Sequence, residues 1–71
     1  MEIKRTELIA SGVEVIEATN GVVYVNLNGS VLSVPDGFDS TVEALAGVHA
    51  WGRPCLYGSD PLKYVEGAAG I

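Results

Sequence analysis

Two Asn-Gly dipeptides, Asn20-Gly21 and Asn28-Gly29, separate three runs rich in β-branched residues, and they limit this chain more than any other feature. The runs are Val13–Ala18, Val22–Leu27 and Val31–Val34. Asn-Gly between such runs is a strong hairpin signal, because a type I′ turn needs positive φ at both central residues. Two hairpins in series make a three-stranded antiparallel meander. Pro35 cannot donate to a ladder, so the third strand is expected to stop before it. Taking each dipeptide as a two-residue loop also sets the register. Ala18 then lies opposite Val23, Ile16 opposite Val25, Val25 opposite Leu32 and Val23 opposite Val34. One face carries Ile16, Ala18, Val23, Val25, Leu27, Leu32 and Val34, and is the expected core. The other carries Val13, Val15, Glu17, Val22, Tyr24, Asn26, Val31 and Ser33. That second face is too apolar for one left to water, since a half-wet antiparallel sheet normally alternates cleanly.

Helical signals follow. Ser40 and Glu43 have the spacing of a capping box, and Val42, Leu45, Ala46 and His49 recur at helical spacing behind them. The expected helix spans residues 40–50 and ends at Gly52 and Pro54. Ile3–Ala10 reads as an outer strand ending at Gly12, and Pro54–Tyr57 as a short strand. Asp60 before Pro61 is a cap followed by a proline at the first helical position, which predicts a short helix over 61–66 with Gly67 as its stop. The fold class is therefore α+β. Residues 1–71 form a single small domain, a three- to four-stranded antiparallel β-meander with one helix packed on one face.

A domain of 71 residues hides only about 60% of the surface of its unfolded chain, so its core is small. Cys55 is the only cysteine and His49 the only histidine, which excludes an internal disulfide and the usual zinc ligand sets. Four basic residues stand against nine acidic ones, a formal net charge of -5, and the pI is near 4.4. Direct nucleic-acid binding is not expected of such a surface, which lacks the clustered Lys and Arg that phosphates need. The expected partner is instead a larger, basic protein or a protein–nucleic acid complex. No apolar run approaches the roughly 20 residues of a membrane span. Residues 1–7 carry no apolar signal core, so the expected location is the cytoplasm, that of the host if the protein is viral.

No stretch assembles a catalytic site. His49 and Cys55 would need hydrogen-bond reach and a third, orienting group to act as base and nucleophile. His49 falls on the apolar stripe of its helix, and Cys55 sits among Pro54, Leu56 and Tyr57 as a small hydrophobe. Asp36, Asp39 and Glu43 lack the alternating carboxylates of a calcium loop and read as turn and helix-start chemistry. No enzyme, cofactor or metal is expected. Binding is the remaining role. The candidate surface is the second sheet face (Val13, Val15, Tyr24 and Val31), with the aromatics Trp51 and Tyr57 and an acidic rim of Glu14, Glu17, Asp36 and Asp39. The chain is expected to be a small acidic protein-binding module, an intracellular regulator or inhibitor of the type phages encode against host machinery. Anti-CRISPR proteins share its size and charge, although no motif links it to one of them. The alternative is a structural or assembly subunit of a homo-oligomer or virion.

Overall fold

The computed structural model describes residues 2–51 and 60–70. Along the chain it runs β1 (Ile3–Ala10), β2 (Val13–Ala18), β3 (Val23–Leu27), β4 (Ser30–Val34), α1 (Phe38–Trp51) and α2 (Pro61–Ala69). The strands form one antiparallel sheet in the order β1-β2-β3-β4. Phe38 and Leu45 of α1 and Tyr64, Val65 and Ala68 of α2 join one core cluster with Val13, Val15, Val23, Val25, Leu27 and Val34. Both helices thus cover the same sheet face, giving an α+β meander.

The two Asn-Gly dipeptides make different turns. Asn28 and Gly29 both have positive φ, 52° and 94°, the type I′ signature. Leu27 pairs with Ser30 across it, and the expected pairs Val25–Leu32 and Val23–Val34 follow. At the other dipeptide only Gly21 has positive φ, 88°. Its N–H donates to the Ala18 carbonyl (3.0 Å), while the Ala18 N–H donates to the Val22 carbonyl (2.9 Å). The loop therefore has three residues, Thr19-Asn20-Gly21, closed by a left-handed glycine. The Asn20 side chain accepts from the Val22 N–H (2.9 Å) and braces this geometry.

That extra loop residue corrects the β2 register by one. Val15 faces Val25, Ile16 faces Tyr24 and Glu17 faces Val23, where Ile16–Val25 and Ala18–Val23 were expected. A one-residue slip sends every side chain of a strand to the opposite face. Val13 and Val15 therefore belong to the helix-covered core, at 8% and 0% exposure, and not to the second face. Ile16 and Ala18 change places with them and are buried at the centre of the second face.

The helix ends also differ from the expectation. The first turn of α1 closes with the Thr41 N–H on the Gly37 carbonyl (2.9 Å). Ser40 consequently lies inside the first turn, exposed, and does not cap. An earlier start lets Phe38 reach the core and sets Asp39 in the first turn, where the helix dipole favours an acid. In α2, Asp60 caps as expected, accepting from the Leu62 N–H (2.8 Å), with Pro61 next. The helix passes through Gly67 and stops at Gly70, whose φ of 79° is the left-handed C-cap. Burial of Ala68 accounts for the additional turn. The strand expected over 54–57 lies outside the described residues.

Candidate protein-binding surface

The sheet face turned away from the helices is built from alternate residues of all four strands. Cross-strand pairing sets Leu8 beside Glu14, Thr6 beside Ile16 and Ile3 beside Ala18. On the other side of β2, Ile16 meets Tyr24 and Glu14 meets Asn26. Tyr24 then meets Ser33, and Asn26 meets Val31. Among the described residues, the exposed large apolar side chains are Ile3 (52%), Leu8 (67%), Val22 (37%), Val31 (47%) and Leu62 (50%). Ile3, Leu8 and Val31 belong to this one face, whereas Val22 precedes β3 and borders a cleft with the end of α2. The three stand around a centre of Ile16, Ala18 and half-buried Tyr24. Four strands about 4.8 Å apart make the face roughly 15 Å wide. Large apolar side chains exposed together on one face of a small protein are candidates for a binding surface.

Tyr24 and Val31 thus lie where the sequence placed them, and Val13 and Val15 do not. Ile3 and Leu8 complete the face and were missed. The signal was present as apolar residues within 3–10, but β1 carries irregularities between Ile3 and Arg5 and between Leu8 and Ala10, which break its alternation.

The acidic residues divide between the two sides. Glu14 lies on the open face, across from Leu8 and Asn26. Glu17 lies on the helix side of the interior strand β2, across from Val23. Its carboxylate accepts from the Arg5 Nε at 2.6 Å. The Arg5 guanidinium carbon stands 4.1 Å from the centroid of the Phe38 ring. Arg5 also approaches Asp39 at 3.6 Å, but Asp39 is 89% exposed, so that pair contributes little. Arg5 in this way ties the outer strand to β2 and to the head of α1. Asp36 accepts from the Tyr64 hydroxyl (2.8 Å) and ties the β4–α1 connection to α2. Of the expected acidic rim, Glu17 and Asp36 are engaged internally. Trp51, Tyr57, His49 and Cys55 carry side chains outside the described part of the structure.

The Arg5–Glu17 pair has a pH consequence. The hydrogen bond from Arg5, reinforced by its charge, holds the Glu17 carboxyl below the usual carboxylate range. A depressed native pKa contributes stability above the unfolded value of about 4.3 and loses it as pH falls through the native value. Glu17→Gln keeps the shape and cannot titrate. Melting curves of the two proteins are expected to differ most near neutral pH and to converge as the pH drops below about 4. A gap unchanged between pH 7 and pH 3 would show that the pair is not formed in solution.

Among the described residues no three His, Cys, Asp or Glu side chains group as metal ligands, and no helix is long and apolar enough to cross a membrane. Searches of protein-family models, curated proteins and solved structures each return no match to this chain.

Proposed function

We propose that this protein is a small acidic protein-binding module, a regulator or inhibitor that docks the open sheet face on a larger, basic partner. One observation carries the reading: Ile3, Leu8 and Val31, drawn from the two outer strands, all surface on the face the helices leave uncovered. Acidic residues outnumber basic ones by nine to four, which favours a basic counterpart and speeds encounter with it. Phage-encoded anti-host inhibitors, including anti-CRISPR proteins, are the kind of intracellular protein that matches this size and charge.

Two exposed residues of β1 supply the test. Ile3→Ser and Leu8→Ser are expected to change folding stability by less than about 1 kcal/mol, as exposed substitutions do. Capture of a host protein by the immobilised chain, identified by mass spectrometry, should fall tenfold or more in the double variant. Undiminished capture of the same protein would reject this face. Light scattering addresses the alternative, since a stable ring or dimer that dissociates in the double variant would make the face a subunit contact of a homo-oligomer or virion.

A further inference from the structure

The two edges of the sheet are built differently. β1 bears Lys4, Arg5 and Glu7 and two irregularities, the devices by which edge strands resist further pairing. β4, Ser30-Val-Leu-Ser-Val34, has neither a charge nor a bulge, and its register with β3 is regular. In a two-residue hairpin the residues flanking the loop exchange hydrogen bonds, so Leu27–Ser30, Val25–Leu32 and Val23–Val34 are the bonded pairs. The N–H and C=O groups of Val31 and Ser33 therefore point outward from the sheet, and both residues are exposed. Beside this edge, Val22, Ser33, Val34 and Pro35 form an open cleft of about 390 Å³ with Ala68, Ala69 and Gly70 at the end of α2.

We propose that the β4 edge accepts an extended, basic segment of the partner protein as a fifth strand, with the cleft taking one of its side chains. The proposal rests on the protein-binding reading above and specifies the kind of partner. Size and charge select the occupant. A five-residue edge is about 17 Å long, and a single added strand along it covers far less than the roughly 800 Å² per partner of a stable dimer. Two copies, each at -5, also repel. An extended peptide needs no such area, because main-chain hydrogen bonds supply its affinity and alternate side chains its specificity. The last turn of α2 contains no basic residue and carries Glu66, so the helix end beside the cleft is net negative even though the Gly70 N–H caps the Glu66 and Gly67 carbonyls. An arginine or lysine of the segment complements it.

The probe is a synthetic ten-residue peptide of alternating valine and threonine with an arginine at each end, titrated into the full-length, ¹⁵N-labelled protein. The amide resonances of Val31 and Ser33 are expected to shift, and their hydrogen exchange to slow at least tenfold. Methylating one alternate set of peptide amides should abolish binding, and methylating the other should leave it, since a strand bonds its neighbour through every second amide. Glutamates in place of the arginines should weaken binding at least threefold. Val31→Pro removes an outward N–H without touching the β3–β4 ladder and should lower affinity tenfold or more. Ser33→Lys, which places a charge on the edge with no backbone change, should do the same if Val31→Pro proves unstable. Shifts confined to β1, β2 and β3, equal binding of both methylated peptides, or no shift at millimolar peptide would each overturn strand addition. So would a doubled mass with Val31 and Ser33 protected, which would assign the edge to a second copy. Ile3 and Leu8 are remote from β4, so loss of partner capture in their variants would uphold the module even where strand addition fails.

Discussion

Leu45→Ala is expected to cost about 2–5 kcal/mol, the range for a buried leucine whose cavity does not fully collapse. Leu45 has no exposed surface and sits in the cluster that joins α1 to Val15 and Val25 of the sheet. The whole domain has about 4–10 kcal/mol to lose at 0.05–0.15 kcal/mol per residue. Its core already contains one liability, the Thr41 hydroxyl, fully buried and without a hydrogen-bond partner among the described residues. An unsatisfied buried group of that kind costs about 1–3 kcal/mol. The substitution is therefore expected to lower the melting temperature by about 8–40 °C, at 4–8 °C per kcal/mol for a domain this small. Leu62→Ala, at a residue 50% exposed on α2, is the matched control and should shift it by only a few degrees. Equal losses in the two variants would mean that α1 is not packed on the sheet as described.

Much of the fold was legible because its signals are local. Asn28-Gly29 gave the right turn and the right register for β3 and β4, and Pro35 gave the end of β4. The Asp60-Pro61 start of α2 was legible for the same reason, since a cap and a first-turn proline act within a few residues. Asn20-Gly21 misled because the same dipeptide serves two loop lengths. Nothing next to it in sequence reports whether Thr19 belongs to strand or loop. β2 gave no help either: Val13, Val15, Ile16 and Ala18 are apolar on both parities, and the structure buries all four. When both faces of a strand are apolar, alternation cannot set its register. Helix ends were misplaced where tertiary burial outweighed the local signal, with Phe38 drawing α1 earlier and Ala68 carrying α2 past Gly67.

The candidate site was legible only as a type of surface. An excess of apolar residues over what one covered face needs implied a second apolar face, and that inference survives the register correction. Its membership did not, because each residue's side depends on the loop that precedes it. The acidic residues were harder still. Glu17 and Asp36 look alike in sequence as surface charges, yet one is held by Arg5 from another strand and the other by Tyr64 from α2. Pairings across such separations are set by topology and leave no mark on the residues beside them.

Gly12→Val is expected to cost about 2–4 kcal/mol, more than the same change at Gly29, and the comparison isolates a contact between two turns. Both glycines have φ in the left-handed region, 82° and 94°, where a side chain costs about 1–2 kcal/mol. Around Gly29 an added Cβ meets nothing within 4 Å, so strain is the whole effect there. At Gly12 the Cβ would fall 2.2 Å from the Asn28 Oδ1 and 3.2 Å from its Cγ. The Gly12 carbonyl also accepts the Asn28 N–H at 2.8 Å, so the β1–β2 turn is pinned to the β3–β4 turn at that end of the sheet. Valine must push the Asn28 side chain aside and strain that bond. Asn28→Ala removes the obstructing side chain, although it costs stability itself because Asn28 sits at φ 52°. The double variant is therefore expected to lose less than the sum of the single losses by at least about 0.5 kcal/mol, measured by urea denaturation as a double-mutant cycle. Strict additivity would show that the two turns do not touch in solution. The same pinning bears on binding. Leu8 lies shortly before the first turn and Val31 shortly after the second, at opposite edges of the open face. Loosening the turns lets those edges move apart, so Gly12→Val should weaken partner capture in the fraction that remains folded, whereas Gly29→Val should lose stability with a smaller loss of capture.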